Sequence, residues 1–89
     1  MIEVVKRRGH KEKFDERKLY GSVYAACKVA NMGERGCEGV ASHVTKKVKD
    51  DLRKKKIVNS SNIANLAKKH LRMKNKDAAF IYETHRDIS

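Results

Sequence analysis

Hydrophobic and polar positions alternate at the start of the chain, then shift to helical spacing for most of the remainder. Ile2 and Val4 fall on one face of an extended segment and Glu3 and Val5 on the other; Lys11-Glu12-Lys13-Phe14 resumes a short extended pattern after Arg7-Arg8-Gly9-His10. Gly9 takes a positive φ at little steric cost, so the two segments read as a β-hairpin with a strongly basic turn. An isolated two-stranded hairpin is marginal in water, and this one must lie against something else.

Asp15 is a good N-cap, and beyond it Leu19, Val23, Ala26 and Ala30 recur at helical intervals, with Tyr20, Tyr24 and Cys27 on an adjoining stripe. This predicts a first helix to about Asn31, broken by Asn31-Met32-Gly33-Glu34-Arg35-Gly36. Cys37, Val40, Val44, Val48 and Leu52 mark a second helix, closed by Lys54-Lys55-Lys56, where cations suit the negative end of the helix dipole. Ile57-Val58 reads as an extended link, and Asn59-Ser60-Ser61-Asn62 as the capping start of a third helix with Ile63, Leu66, Ala67 and Leu71 on its apolar face. Past Lys74-Asn75-Lys76, Asp77 is the expected cap of a fourth helix that offers Ala78, Ile81, Tyr82 and His85 for packing. The order is β-β-α-α-α-α: an α+β fold, mostly α, with an N-terminal hairpin on a four-helix bundle, in a single domain over residues 1–89.

Composition narrows the class. With 89 residues the core must be small. Lys and Arg total 22 against 11 Asp and Glu, a net charge of +11, which points to a polyanionic ligand or partner. No apolar run approaches the roughly 18 residues of a membrane span, and Met1 to Lys6 has no signal-peptide character, so a cytoplasmic protein without a membrane partner is expected. Cys27 and Cys37 lie outside any Cys-x-x-Cys pattern and read as packed, reduced thiols. Cys37 and His43 are six residues apart, a poor same-face spacing, and His10, His70 and His85 have no neighbouring ligands in sequence, so no metal site is expected. There is no Gly-x-x-x-x-Gly-Lys-Ser/Thr loop and no nucleophile–base arrangement; a non-enzymatic binding module is the reading.

The basic hairpin tip is the most informative segment. Lys6 and Arg7 reach one anion where the backbone turns between them, and Lys18 and the backbone N–H groups at the start of the first helix add to a polyphosphate cradle. Val4, Phe14 and Leu19 lie close by in sequence and suit the walls around a flat base. The same residues also fit a solvated basic turn.

The segment from Val4 through Lys6-Arg7-Arg8-Gly9, Glu12, Phe14-Asp15 and Lys18-Leu19 resembles the opening of an ATP-cone domain. Ile57-Val58-Asn59-Ser60-Ser61-Asn62-Ile63 resembles that family's second signature, and Ala79-Phe80-Ile81-Tyr82-Glu83-Thr84-His85-Arg86 its closing one. ATP-cone domains place a hairpin lid over a four-helix bundle and bind ATP or dATP as an allosteric signal, in ribonucleotide reductases, in the repressors of reductase genes and before some archaeal kinase domains. The resemblance implies ATP or dATP as ligand, with or without Mg2+, and a homo-oligomer or a regulated enzyme or repressor as partner. It implies Lys6 and Arg7 as the phosphate-binding pair, with Lys18 as the phosphate contact on the first helix. Val4 reads the adenine edge through its backbone, and Phe14 and Leu19 wall the base. Glu12 is a polar lid residue, and Ser60 the hydroxyl near sugar or base. Arg8 stands where Asp is usual, Ala64 where some members have His, and His85 where an aromatic is usual. The lone cone suggests a sensor acting in trans or through self-association.

The rival reading is a small basic nucleic-acid-binding protein of low sequence specificity, since +11 suffices for non-specific attraction to phosphates. Against it, the cations are spread along the chain and the five aromatics, Phe14, Tyr20, Tyr24, Phe80 and Tyr82, mostly fall on helix stripes expected to be core.

Overall fold

The structure is a computed structural model that describes residues 3–5, 11–53 and 57–85, without the side chains of Ile57 and His85. Its elements are β1 (Glu3–Val5), β2 (Lys11–Lys13), α1 (Glu16–Val29), α2 (Glu34–Leu52), β3 (Ile57–Asn59), α3 (Ser60–Lys74) and α4 (Lys76–His85). The α+β, mostly helical class follows the sequence reading. The hairpin, however, is widened: the segment read as a link is a third strand, and β1 runs between β2 and β3. β1 pairs with β2 antiparallel, setting Glu3 opposite Lys13 and Val4 opposite Glu12, and with β3 parallel, setting Val4 beside Val58. A third strand resolves the instability of a bare hairpin, and the buried side chains of Val4 and Val58 tie the sheet to the helical core.

Each helix is started and stopped by identifiable chemistry. The Asp15 carboxylate accepts the N–H groups of Arg17 (2.9 Å) and Lys18 (3.4 Å), as its place in the sequence predicts. α1 ends where Asn31 takes φ 65°. The Met32 N–H donates to the Cys27 carbonyl (3.1 Å) and the Asn31 N–H to that of Lys28 (3.0 Å), the paired bonds of a Schellman stop. The reversal thus turns on Asn31 and not on either nearby glycine. α2 begins at Glu34, one turn ahead of the first apolar marker Cys37, with Gly33 as a cap that lends no side chain. Asn59 caps α3 through the Asn62 N–H (2.8 Å). α4 is capped by Asn75, whose side chain accepts the Ala78 N–H (2.9 Å); Asp77 lies inside the first turn instead.

The core follows the stripes: Leu19, Val23, Ala26 and Cys27 from α1, Cys37, Ala41, Val44, Val48 and Leu52 from α2, Ala67 and Leu71 from α3, and Ala78, Ala79 and Tyr82 from α4 are buried. Tyr20 and Tyr24 stack with ring centroids 6.2 Å apart at the edge of that core. Phe80, grouped with the other aromatics as core, is instead 70% exposed.

Cys27 and Cys37 are fully buried and unlinked. Burial first, and the neighbouring Cys37 second, push the Cys27 thiol up to about 11. At pH 8 the thiolate fraction is then about one in a thousand, and the thiolate is the reactive form. Iodoacetamide at pH 8 is expected to leave Cys27 unmodified in the folded protein and to label both cysteines in denaturant. Intact-mass spectrometry reads this directly, and rapid native labelling at Cys27 would contradict the packing described.

Candidate functional site

A recess of about 1000 Å³ opens between the sheet, the face of α1 and the start of α3, with α4 at its back. Its size falls at the upper end of small-molecule sites. β1 and β2 contribute Val4, Val5, Glu12 and Lys13, and the connection to α1 contributes Phe14 and Asp15. α1 presents Lys18, Leu19, Ser22, Ala25, Ala26 and Val29, residues that share one side of the helix by their spacing. Asn59, Ser60, Ser61, Ile63 and Ala64 come from the end of β3 and the first turn of α3; Ile81 and Tyr82 come from α4.

Val4, Glu12, Phe14, Lys18, Leu19 and Ser60, singled out from the sequence, therefore meet around one cavity although they span more than fifty positions of the chain. Lys6 and Arg7 lie outside the described residues, as do Arg8, Gly9, His10 and Arg86. Val4 lines the cavity from β1, the middle strand of the sheet, and its buried side chain belongs to the core that joins sheet and helices.

One element of the expected cradle changes. The backbone N–H groups of Arg17 and Lys18 are taken by the Asp15 carboxylate. They do not stand free for a phosphate, and the cation that α1 offers the cavity is the exposed Lys18 side chain. Lys13 is a second cation on the rim, with Glu12 and Asp15 as the acidic groups. The sides are apolar at Leu19, Ala26, Ile63 and Ile81, while Ser22, Ser60, Ser61 and Asn59 supply hydroxyl and amide groups. The Ser61 hydroxyl donates to the Asn59 side chain (2.6 Å), fixing both at the mouth of α3. The described lining thus combines apolar walls, hydroxyl and amide groups at one side, and two cations with two carboxylates at the rim.

Ser22, Ala25, Val29, Ser61 and Ile81 are lining residues that sequence reasoning missed. The recurrence of Lys18, Ser22, Ala25 and Val29 along one side of α1 is the signal that marks the first three. That side of the helix begins with a cation and continues in small residues, which leaves room beside it.

Away from the cavity, His70 acquires a partner that the sequence did not reveal: its Nε2 lies 2.7 Å from Asp51 Oδ2. Burial, then Lys74, Lys47, His70 and Lys46, hold the His43 imidazole below the usual histidine range. Among the described residues no three His, Cys, Asp or Glu side chains gather as a metal site requires. Among them, too, no helix is long and apolar enough to cross a membrane.

Comparison with curated proteins gave no match. The ATP cone domain family, in contrast, matches residues 2–87, nearly the whole chain. A sheet over four helices, a cavity floored by β1 and walled by α1 and α3, and a family match of that extent agree: the chain belongs to the ATP cone domain family, a regulatory family that senses nucleotides.

Proposed function

We propose that the cavity binds an adenine nucleotide, ATP or dATP, as a regulatory ligand, and that the protein is an allosteric sensor in the cytoplasm and not an enzyme. The observation that carries this reading is the convergence of Val4, Glu12, Phe14, Lys18, Leu19 and Ser60 on one recess of about 1000 Å³ in a chain of this family. In the proposed pose the base lies against Leu19, Phe14 and the Val4 side chain, its edge toward the β1 backbone. Ser60 meets the sugar or base, and Glu12 closes over the nucleotide from β2. Lys18 meets the phosphates together with Lys6 and Arg7, assigned from the sequence alone. Any Mg2+ arrives on the phosphates. Charge-assisted bonds to phosphate form best where water is partly excluded, as beside these apolar walls.

A ligand held by β1, β2, α1 and α3 together couples elements far apart in sequence. A partner that prefers the filled arrangement, whether a second copy, a regulated enzyme or a repressor, then tightens nucleotide binding by the factor that nucleotide tightens the partner.

Isothermal titration with ATP, dATP, GTP and CTP at moderate salt tests the reading. Adenine nucleotides are expected to bind more tightly than the others. Lys18→Ala is expected to weaken them about tenfold or more, since a hydrogen bond to a charged group contributes about 1.5–3 kcal/mol. Equal binding of all four triphosphates, lost as salt rises, would leave only unspecific charge attraction.

A further inference from the structure

The positive charge is not spread evenly over the fold. α1 and α2 carry carboxylates along with their cations, but α3 has none: Lys68, Lys69, Arg72 and Lys74 stand on a helix without a single Asp or Glu. Lys68 is neutralised by Glu83 of α4 (2.7 Å), whereas Lys69, Arg72, Lys74 and Lys76 make no ion pair among the described residues. Two large apolar side chains sit among these cations without cover, Met73 at 79% and Phe80 at 70% exposure. A shallow groove runs along α3 between Asn65, Lys68, Lys69, Arg72 and Met73. The Lys68–Glu83 pair fixes the register of the antiparallel α3 and α4. By helical spacing, Arg72 lies one turn from Lys68 on α3 and Phe80 one turn from Glu83 on α4, each toward Asn75. Asp77 is the remaining acidic residue on this stretch, against four unpaired cations.

An exposed aromatic ring one helical turn from the exposed Lys76, on a helix paired with the cationic α3, fits one ligand chemistry better than others. Phosphates track the cations, and an unpaired base stacks on the ring; a duplex hides its bases from such a ring, and an acidic peptide offers no flat face to it. We propose that the outer face of α3 and α4, with Lys69, Arg72, Met73, Lys76 and Phe80, binds single-stranded nucleic acid of low sequence specificity. This surface shares no residue with the cavity, where α4 points Ile81 and Tyr82. It does not rest on the nucleotide reading.

Fluorescence anisotropy with a labelled oligothymidylate of about 12 nucleotides, within the span of small single-strand sites, tests it on the full chain. A duplex of the same length and polyglutamate serve as competitors over a salt series. The oligothymidylate is expected to bind more tightly than either. Phe80→Ala is expected to weaken it between about fivefold and a hundredfold with the salt slope unchanged, as loss of one stacked base does. Lys69→Ala with Arg72→Ala is expected to flatten the slope by about 1.4, or 0.7 per lost phosphate contact on a single strand. These side chains are exposed, and an unchanged circular dichroism spectrum and melting curve will show that the variants fold. A variant with the cavity blocked at Ser22 is expected to bind the strand as before. The proposal is overturned if Phe80→Ala binds like the wild type, if duplex competes equally, if polyglutamate competes better (an acidic protein surface is then the partner), or if blocking the cavity abolishes strand binding.

Discussion

Leu71→Ala is expected to destabilise the protein by about 2–5 kcal/mol, a large effect for a single truncation. Leu71 is one of the two largest fully buried side chains, at 0% exposure, and it stands where α3 meets the core beside buried residues of α2 and α4. Truncation removes the transfer free energy of the isobutyl group and leaves a cavity into which a close-packed core relaxes only in part. A chain of this size has about 4–13 kcal/mol of total stability, so the loss takes a large share of it. The corresponding fall in melting temperature is about 4–8 °C per kcal/mol. Two comparisons separate packing from helix propensity. Leu71→Met keeps the volume and is expected to cost under about 1.5 kcal/mol. Met73→Ala, on the same helix but exposed, is expected to stay within about 0.5 kcal/mol of the wild type. Urea denaturation followed by circular dichroism measures all three. A Leu71→Ala midpoint equal to that of Met73→Ala would mean that α3 does not bury this face.

What the sequence discloses and what it hides divide along one physical line. Local chemistry was legible: Asp15 and Asn59 are caps by residue type, and the stripe of Leu19, Val23 and Ala26 announces its own buried side. β3 was not, because three residues make a strand only when a partner strand is present, and the partner of Ile57–Asn59 is β1, more than fifty positions earlier. Residue type places the cap of α4 two residues late because Asn75 and Asp77 are equally good capping types; the choice depends on where α3 releases the chain, and Asn75 also closes α3. Phe80 is grouped with the core aromatics by residue type, although it lies outside the stripe of Ala78, Ile81 and Tyr82, and residue type alone does not say whether anything covers a ring. For the site, cations and apolar residues near the hairpin could be named from sequence. The small residues that leave the space are marked only by their recurrence along one side of α1, a weak signal, since Ser22 and Ala25 matter for the volume they do not occupy.

That unoccupied volume supplies the other large effect. Ser22→Trp is expected to reduce adenine-nucleotide affinity by well over tenfold while leaving the fold intact. Ser22 is solvent-exposed and yet lines the cavity between Lys18 and Ala25, so its side chain points into the recess and not into the packed core. An indole there projects across the space assigned to the base. Dense protein walls yield little to such an intrusion, and relocating a flat ring by even an ångström separates its phosphates from Lys18. Serine and tryptophan have similar helix propensities, so α1 keeps its stability and the circular dichroism spectrum is expected to be unchanged. Ser22→Ala keeps the space open and loses at most one neutral hydrogen bond, so its effect is expected to remain within about tenfold, or about 1.5 kcal/mol. Lys28→Trp adds the same ring to α1 at an exposed position outside the cavity lining and is expected to bind nucleotide normally. Titration calorimetry on the three variants therefore distinguishes a blocked site from a damaged helix. Wild-type affinity in Ser22→Trp would place the nucleotide somewhere other than the recess between β1, α1 and α3, whereas a loss confined to that variant assigns it there.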